Sequence, residues 1–305
     1  CAEKSSPTAQ SITPTAASSE SASGQTSPLK GITLTPKSFA SDDFQDFFVK
    51  ASQAGEVITW AGDWNELSNT KNGGPTVLAE LSAKYKYVPL VEAQFFHQDT
   101  GKLLRPLDQQ TKKQYLDSAA AFAKRYKPKY FAVGIEVNML YEKSPADFEN
   151  FVEFYEEVYS AIKAASPQTK VFPIFQLEKM KALQGGLFGG KNEPEKNEWF
   201  LLDKFPHADL IAFTTYPGLI YKEPAEIPED YYSEISSHTN KTIAFTEIGW
   251  HNAASPVGWE SSEEEQARFI SRFFELNQEL KSELIIWSFL YDQNTLEPFN
   301  SMGLF

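Results

Sequence analysis

From Gly31 onward, short apolar runs alternate with longer stretches in which apolar residues recur every three or four positions. The short runs fall at 31–35, 57–60, 87–95, 130–137, 170–175, 209–215, 242–247 and 284–290. They are rich in β-branched and aromatic residues and are apolar nearly throughout, the pattern of strands buried on both faces of a parallel sheet. The longer stretches predict helices over 42–54, 75–85, 109–126, 145–165, 195–204, 229–238 and 261–281. Their ends carry helix punctuation. Ser41 or Asp42 can cap the first, Ser144-Pro145 opens the fourth, and Ser261 or Ser262 precedes Glu263–Glu265 in the last. In that last helix Phe269 with Phe273, and Ile270 with Phe274, recur four residues apart on one face.

Eight strands alternating with helices predict an α/β fold of the (β/α)8 TIM barrel type, for which ~250 residues is typical. A doubly wound sheet is the competing arrangement, but no G-x-G-x-x-G phosphate turn follows the first strand. No helical pattern follows the eighth strand, so the eighth helix is absent or lies beyond residue 305.

Residues 1–30 are different. Twenty of the 30 are Ser, Thr, Ala or Pro, a composition that cannot bury enough apolar surface to offset its ordering entropy. A disordered tether over 1–30 and a barrel over 31–305 are expected. The lone cysteine is Cys1, so an internal disulfide is impossible. A Cys followed by such a tether resembles a mature bacterial lipoprotein. That resemblance implies lipid anchoring through Cys1 and an extracellular or cell-surface location, with contact to the membrane through that lipid alone. A net charge of −13 argues against a nucleic-acid partner and weakly against a polyanionic polysaccharide. A monomer is expected.

In a TIM barrel the chemistry sits at the C-terminal ends of strands. Two carboxylates there lie within otherwise apolar runs, Glu136 in Phe131-Ala-Val-Gly-Ile-Glu136-Val and Glu247 in Ile243-Ala-Phe-Thr-Glu247-Ile. Glutamate is rarely buried without a reason. A carboxylate pair across a barrel mouth suits glycosidic bond cleavage, where one group must be protonated and the other ionised. Strict alternation would turn Gly134 and Ala132 inward with Glu136 and leave Ile135 facing the helices. It would likewise turn Phe245 and Ile243 inward with Glu247. Aromatics make up 14% of the chain, and pyranose rings need flat apolar faces.

Val133-Gly-Ile-Glu136-Val-Asn138 and Phe245-Thr-Glu247-Ile-Gly-Trp250 together resemble the clan A retaining glycoside hydrolases. The strand-seven motif is similar to the T-E-I-G of certain β-mannanases. The strand-four motif resembles the V-G-N-E-x-N of endo-β-1,4-galactanases. The resemblance implies Glu136 as acid/base, Glu247 as nucleophile, Tyr216 as hydrogen-bond partner of the nucleophile and Trp287 as the floor of the central sugar subsite. It departs from the clan at Ile135, where an Asn usually binds the substrate 2-hydroxyl. Trp60, Asp63, Trp64, His97, Asn138, Gln176 and Trp250 are further candidate sugar contacts by their placement at strand ends.

The four histidines show no metal-ligand spacing, so no metal or other cofactor is expected. The reading is a retaining glycoside hydrolase, endo-acting on a β-linked neutral polysaccharide of galactan or mannan type. Ile135 keeps a non-catalytic carbohydrate-binding barrel as the alternative. A two-lobed solute-binding lipoprotein is a third class, against which the eightfold alternation argues.

Overall fold

The structure, a computed structural model, describes residues 27–253 and 258–305. The expected tether, with Cys1, lies outside the described residues as far as residue 26. The first strand, β1 (Leu29–Thr33), starts two residues earlier than predicted and takes in Leu29 and Lys30.

The chain continues α1 (Ser41–Ala54), β2 (Val57–Asp63), α2 (Gly74–Tyr85), β3 (Val88–Gln94), α3 (Gln109–Tyr126), β4 (Tyr130–Val133), α4 (Val137–Lys143) and α5 (Pro145–Ala165). Then follow β5 (Lys170–Phe172), β6 (Ile174–Gln176), α6 (Leu177–Met180), β7 (Ile211–Thr215), β8 (Ile243–Ile248), α7 (Glu263–Leu276) and β9 (Ser282–Trp287). All pairings are parallel, in the order β5-β4-β3-β2-β1-β9-β8-β7-β6. β5 and β6 are two halves of the predicted fifth strand, separated by Pro173, which has no N–H to give to a ladder. β5 pairs with β4 and β6 with β7, so the chain itself joins the two ends of the sheet and closes the eight-stranded barrel.

Two apolar layers hold it. Val57, Leu90, Tyr130, Ala132, Phe172, Ile174, Leu210, Ala212, Ala244, Leu284 and Ile286 fill the barrel. Around it, strand residues such as Ile58, Val91, Phe131, Phe213 and Phe245 pack under the helices. In α5 the buried residues Phe148, Phe151, Tyr155, Val158 and Ile162 keep helical spacing along one face. Full burial of each such side chain contributes roughly 1.5–3 kcal/mol. Of the caps the sequence suggests, only Ser262 receives a backbone N–H: α1 follows Ala40, and α5 follows Ser144, with no side-chain cap bond in either, while α3 is capped by Asp108. Asp108 accepts from Thr111 N at 2.8 Å at the start of α3, and Ser262 from Glu265 N at the start of α7.

Two predicted helices are not α-helices. The 195–204 and 229–238 stretches form 3₁₀ turns, Pro194–Lys196, Trp199–Lys204 and Ser233–Ser237. Their apolar residues face the core without completing a longer hydrogen-bonded run. No eighth helix follows β9 among the described residues. Instead the last residues cross the C-terminal face of the barrel. Trp287 Nε1 donates to Met302 O at 2.8 Å, and Asn252 N donates to Ser301 O at 2.7 Å.

Candidate active site

β4 stops at Val133, four residues before the predicted end. Gly134 takes φ +85°, where a Cβ would be strained and would come within 2.6 Å of Val137 Cγ1. Glu136 itself stands at φ +56°, left-handed backbone that a glutamate rarely adopts, immediately before α4. This turn breaks the alternation that the sequence suggests. Ala132 faces the barrel interior as expected, but Ile135 joins it there instead of facing the helices. Gln94 fixes the turn from β3, donating to Ile135 O at 2.9 Å and accepting from Ile135 N at 3.3 Å.

Alternation also fails on β8. Phe213 of β7 pairs with Phe245, but Thr214 pairs with Glu247, so one residue is inserted at Thr246. As a result Ile243 and Phe245 pack under the helices, Ala244 faces the interior, and Glu247 still reaches the mouth.

Glu136 and Glu247 line one cavity of about 420 Å³, along with Gln98, Met139, Gln176, Lys179, Phe188, Tyr216, Leu219, Phe289, Thr295 and Phe299. Glu136 Oε1 accepts from Thr214 Oγ1 at 2.7 Å. Its carboxyl is pushed up to about 7, chiefly by burial and further by the charges of Glu247 and Glu178, against the lowering effect of Thr214. Glu247 Oε2 accepts from Tyr216 OH at 2.6 Å, and Ser288 Oγ lies 2.8 Å from that phenol oxygen. Burial also raises Glu247, opposed by the Tyr216 bond. The two carboxyls therefore sit in unlike settings. Glu136 has one neutral hydroxyl and two nearby negative charges, whereas Glu247 has a phenol aimed at it.

Beneath them lies a support, at the end of the fifth strand, to which sequence reasoning gave no role. Glu178 is wholly buried and accepts from Gln176 Nε2, Thr215 Oγ1, Tyr216 N and Tyr231 OH. It ties the end of β6 to the end of β7 and so holds Tyr216 in place. Its signal in the sequence was a carboxylate two residues past an apolar strand.

The remaining candidates divide by position. Gln176 lines the cavity. Asn138 is buried behind it, donating to Gln176 O at 3.0 Å and accepting from Gln176 N at 2.8 Å, a bridge from the first turn of α4 to the end of β6. His97 is exposed and does not line the cavity. Asp63 is held by Arg105 through two hydrogen bonds of 2.8 Å. Trp64 is buried against Tyr115, and Trp250 against Phe269 with its Nε1 on Glu265. Trp60 borders a separate cavity of about 470 Å³ beside α1 and α2. Trp287 packs in the helix-side layer, and the aromatic walls of the cavity are Phe188, Phe289 and Phe299. These placements follow from β2 and β9, where the tryptophans occupy outward positions in the alternation. No group of His, Cys, Asp and Glu among the described residues is arranged to hold a metal ion.

No family model and no curated protein matches the sequence. Solved structures do resemble the fold. The exo-β-1,4-mannosidase Op5Man5 from Opitutaceae bacterium strain TAV5 is 15% identical, with a TM-score of 0.61 over 91% of this chain and 56% of that one. The chain thus spans little more than half the length of that mannosidase. The GH53 catalytic domain of Ignisphaera aggregans is 13% identical, with a TM-score of 0.60 over 90% of this chain and 91% of that one. Xylanase 10B from Thermotoga maritima is 11% identical, with a TM-score of 0.58 over 88% and 85%. The likeness to these structures is one of fold, a TIM barrel.

Proposed function

We propose that the protein is a retaining glycoside hydrolase acting within β-linked neutral polysaccharides of galactan or mannan type, anchored at the cell surface through Cys1. The observation that carries this reading is the unequal carboxyl pair, Glu136 raised to about 7 and Glu247 bonded to Tyr216, in one cavity at the barrel mouth. A double displacement calls for the two carboxyls to stand ~5–5.5 Å apart, one on each side of the scissile bond. Glu247 attacks the anomeric carbon while Glu136 gives its proton to the leaving oxygen, and a glycosyl-enzyme forms. Esterification removes the Glu247 charge, which lowers the proton affinity of Glu136. Glu136 then takes a proton from water as that water attacks the anomeric carbon and frees Glu247. Phe188, Phe289 and Phe299 offer ring faces, and Gln98 and Gln176 offer amides to sugar hydroxyls.

Mannosidase, xylanase and related names among the structurally similar proteins are consistent with a β-linked glycan. The test is hydrolysis of dye-labelled galactan, mannan and glucan by wild type, Glu136→Ala and Glu247→Ala. Glu247→Ala should lose turnover and, with azide, give an inverted glycosyl azide. Glu136→Ala should keep activity on substrates with good leaving groups and give the retained azide. Wild-type rates in both variants would make these carboxylates structural.

One observation favours a second reading, a barrel that binds carbohydrate without cleaving it. Ile135 is turned into the barrel core and places no amide beside Glu136 for a sugar hydroxyl. Binding of a β-glycan by wild type with no hydrolysis of any would select it.

A further inference from the structure

A third carboxyl lies inside the barrel. Glu92 is on β3 and is fully inaccessible, and no hydrogen-bond donor reaches either of its carboxyl oxygens. Its flanking positions in register are Ala61 on β2 and Ala132 on β4, two small residues that leave it room. Val88 and Leu90, four and two residues before it, pack with the interior layer, so Glu92 points inward at the level above them. Thr33 on β1 and Thr59 on β2 are paired in register near this level, and their buried hydroxyl oxygens are likewise unpartnered. A polar layer thus separates the apolar floor of the barrel from the Glu136–Glu247 cavity. An alanine or valine would fill this layer at no electrostatic cost, so the carboxyl itself calls for a role.

We propose that Glu92 is a positioning residue for Glu247, a hydrogen-bond donor held inside the barrel and turned toward the nucleophile's carboxylate. This rests on the reading of Glu247 as nucleophile. An ionised carboxylate with no partner in a closed apolar barrel costs several kcal/mol, and such a group keeps its proton instead. Burial drives Glu92 far above the ordinary carboxylate range, and the negative charge of Glu247 adds to the lift. No lysine or arginine contributes. The titratable groups facing Glu247 are Glu92 from β3, Glu136 from the turn after β4 and Tyr216 after β7, with Glu178 acting on Glu136. Tyr216 occupies only one oxygen of Glu247. A neutral acid beside it supplies a second donor and adds no charge, which keeps the nucleophile ionised at lower pH. The arrangement matches the principle that a carboxylic acid kept neutral by an apolar site can serve as a donor.

The sign of one titration decides the matter without any substrate. The Glu δ-carbons of ¹³C-labelled protein are followed by NMR against pH in wild type, Glu92→Gln and Glu92→Leu, with Glu247 assigned from Glu247→Gln. In wild type Glu92 should stay protonated through the range in which Glu247 titrates, because burial favours its neutral form. Glu92→Leu should raise the Glu247 midpoint by about one pH unit, a tenfold gain in proton affinity. Glu92→Gln, which keeps an N–H donor, should leave it near the wild-type value. A lowered midpoint in Glu92→Leu would mean that an anion had been removed, and an unchanged one that Glu92 only fills space. Either result overturns the proposal. If the polysaccharides are cleaved, the acid limb of kcat/KM should move with the Glu247 midpoint. If none is cleaved, the glycosidase reading fails while the titration still judges Glu92.

Discussion

Replacing Glu136 by glutamine should make the protein more stable at neutral pH than at acid pH relative to wild type. Glutamine keeps an oxygen for the Thr214 hydroxyl, which lies 2.7 Å from Glu136 Oε1, but cannot ionise. The folded-state carboxyl is raised from the ordinary 4.5 to about 7. A group whose value is raised on folding stabilises the fold fully below its unfolded value and loses that contribution as pH climbs through the folded one. The window therefore runs from about 4.5 to about 7 and is flat on either side. At ~1.4 kcal/mol per pH unit, the gap amounts to roughly 3 kcal/mol. That is an upper bound, because the carboxyl is partly open to the water of the cavity. For a domain of this size it corresponds to a Tm difference of at most roughly 6–12 °C. The assay is thermal unfolding of both proteins between about pH 4 and about pH 8.5, with urea denaturation as a cross-check. The difference in Tm, variant minus wild type, should grow between about pH 4.5 and 7 and then level off. A difference that is constant across the range would show that Glu136 is not held protonated, and the assignment of the proton donor would fall with it.

Tyr216→Phe removes the donor 2.6 Å from Glu247 Oε2. A hydrogen bond to a charged group is worth ~1.5–3 kcal/mol, so kcat should fall roughly 10–100-fold and the acid limb of kcat/KM should move to higher pH. An unaltered profile would remove Tyr216 from the site. In wild type the alkaline limb should fall near pH 7, where Glu136 loses its proton, and it should vanish for substrates whose leaving group needs no protonation. Gly134→Ala places a side chain at φ +85° within 2.6 Å of Val137 Cγ1 and should cost at least ~1–2 kcal/mol by urea denaturation, since it distorts the turn that aims Glu136. Wild-type stability in that variant would mean the turn adapts freely.

The fold was legible because its signal is repeated. Eight apolar runs at helix-spaced intervals leave few arrangements, and α3 and α5 fall on the predicted residues, with Ser144-Pro145 marking the start of α5. Glu136 and Glu247 were legible for a related reason, since a carboxylate inside an apolar run conflicts with its surroundings. The same conflict marks Glu92, in Val88-Pro-Leu-Val-Glu92, but it lies lower in the barrel than strand ends are expected to carry chemistry. The tryptophans misled in the other direction. Trp60, Trp64, Trp250 and Trp287 sit near strand ends in the sequence, yet which face each ring takes is set by the pleat and by local packing partners such as Gly74, Tyr115 and Phe269.

What the sequence determined alone was whatever depends on neighbours in the chain: the strand and helix periods, the closing pattern of the barrel and the chemical types at its mouth. What only the tertiary structure decided was orientation. A single left-handed turn at Gly134–Glu136 and one inserted residue at Thr246 reverse the side-chain alternation on two strands. They turn Ile135 inward, Phe245 outward and both carboxyls to a common cavity. Such a reversal costs little locally and is stabilised by contacts distant in sequence, Gln94 on the Ile135 peptide and β7 on β8, so no period within either strand records it.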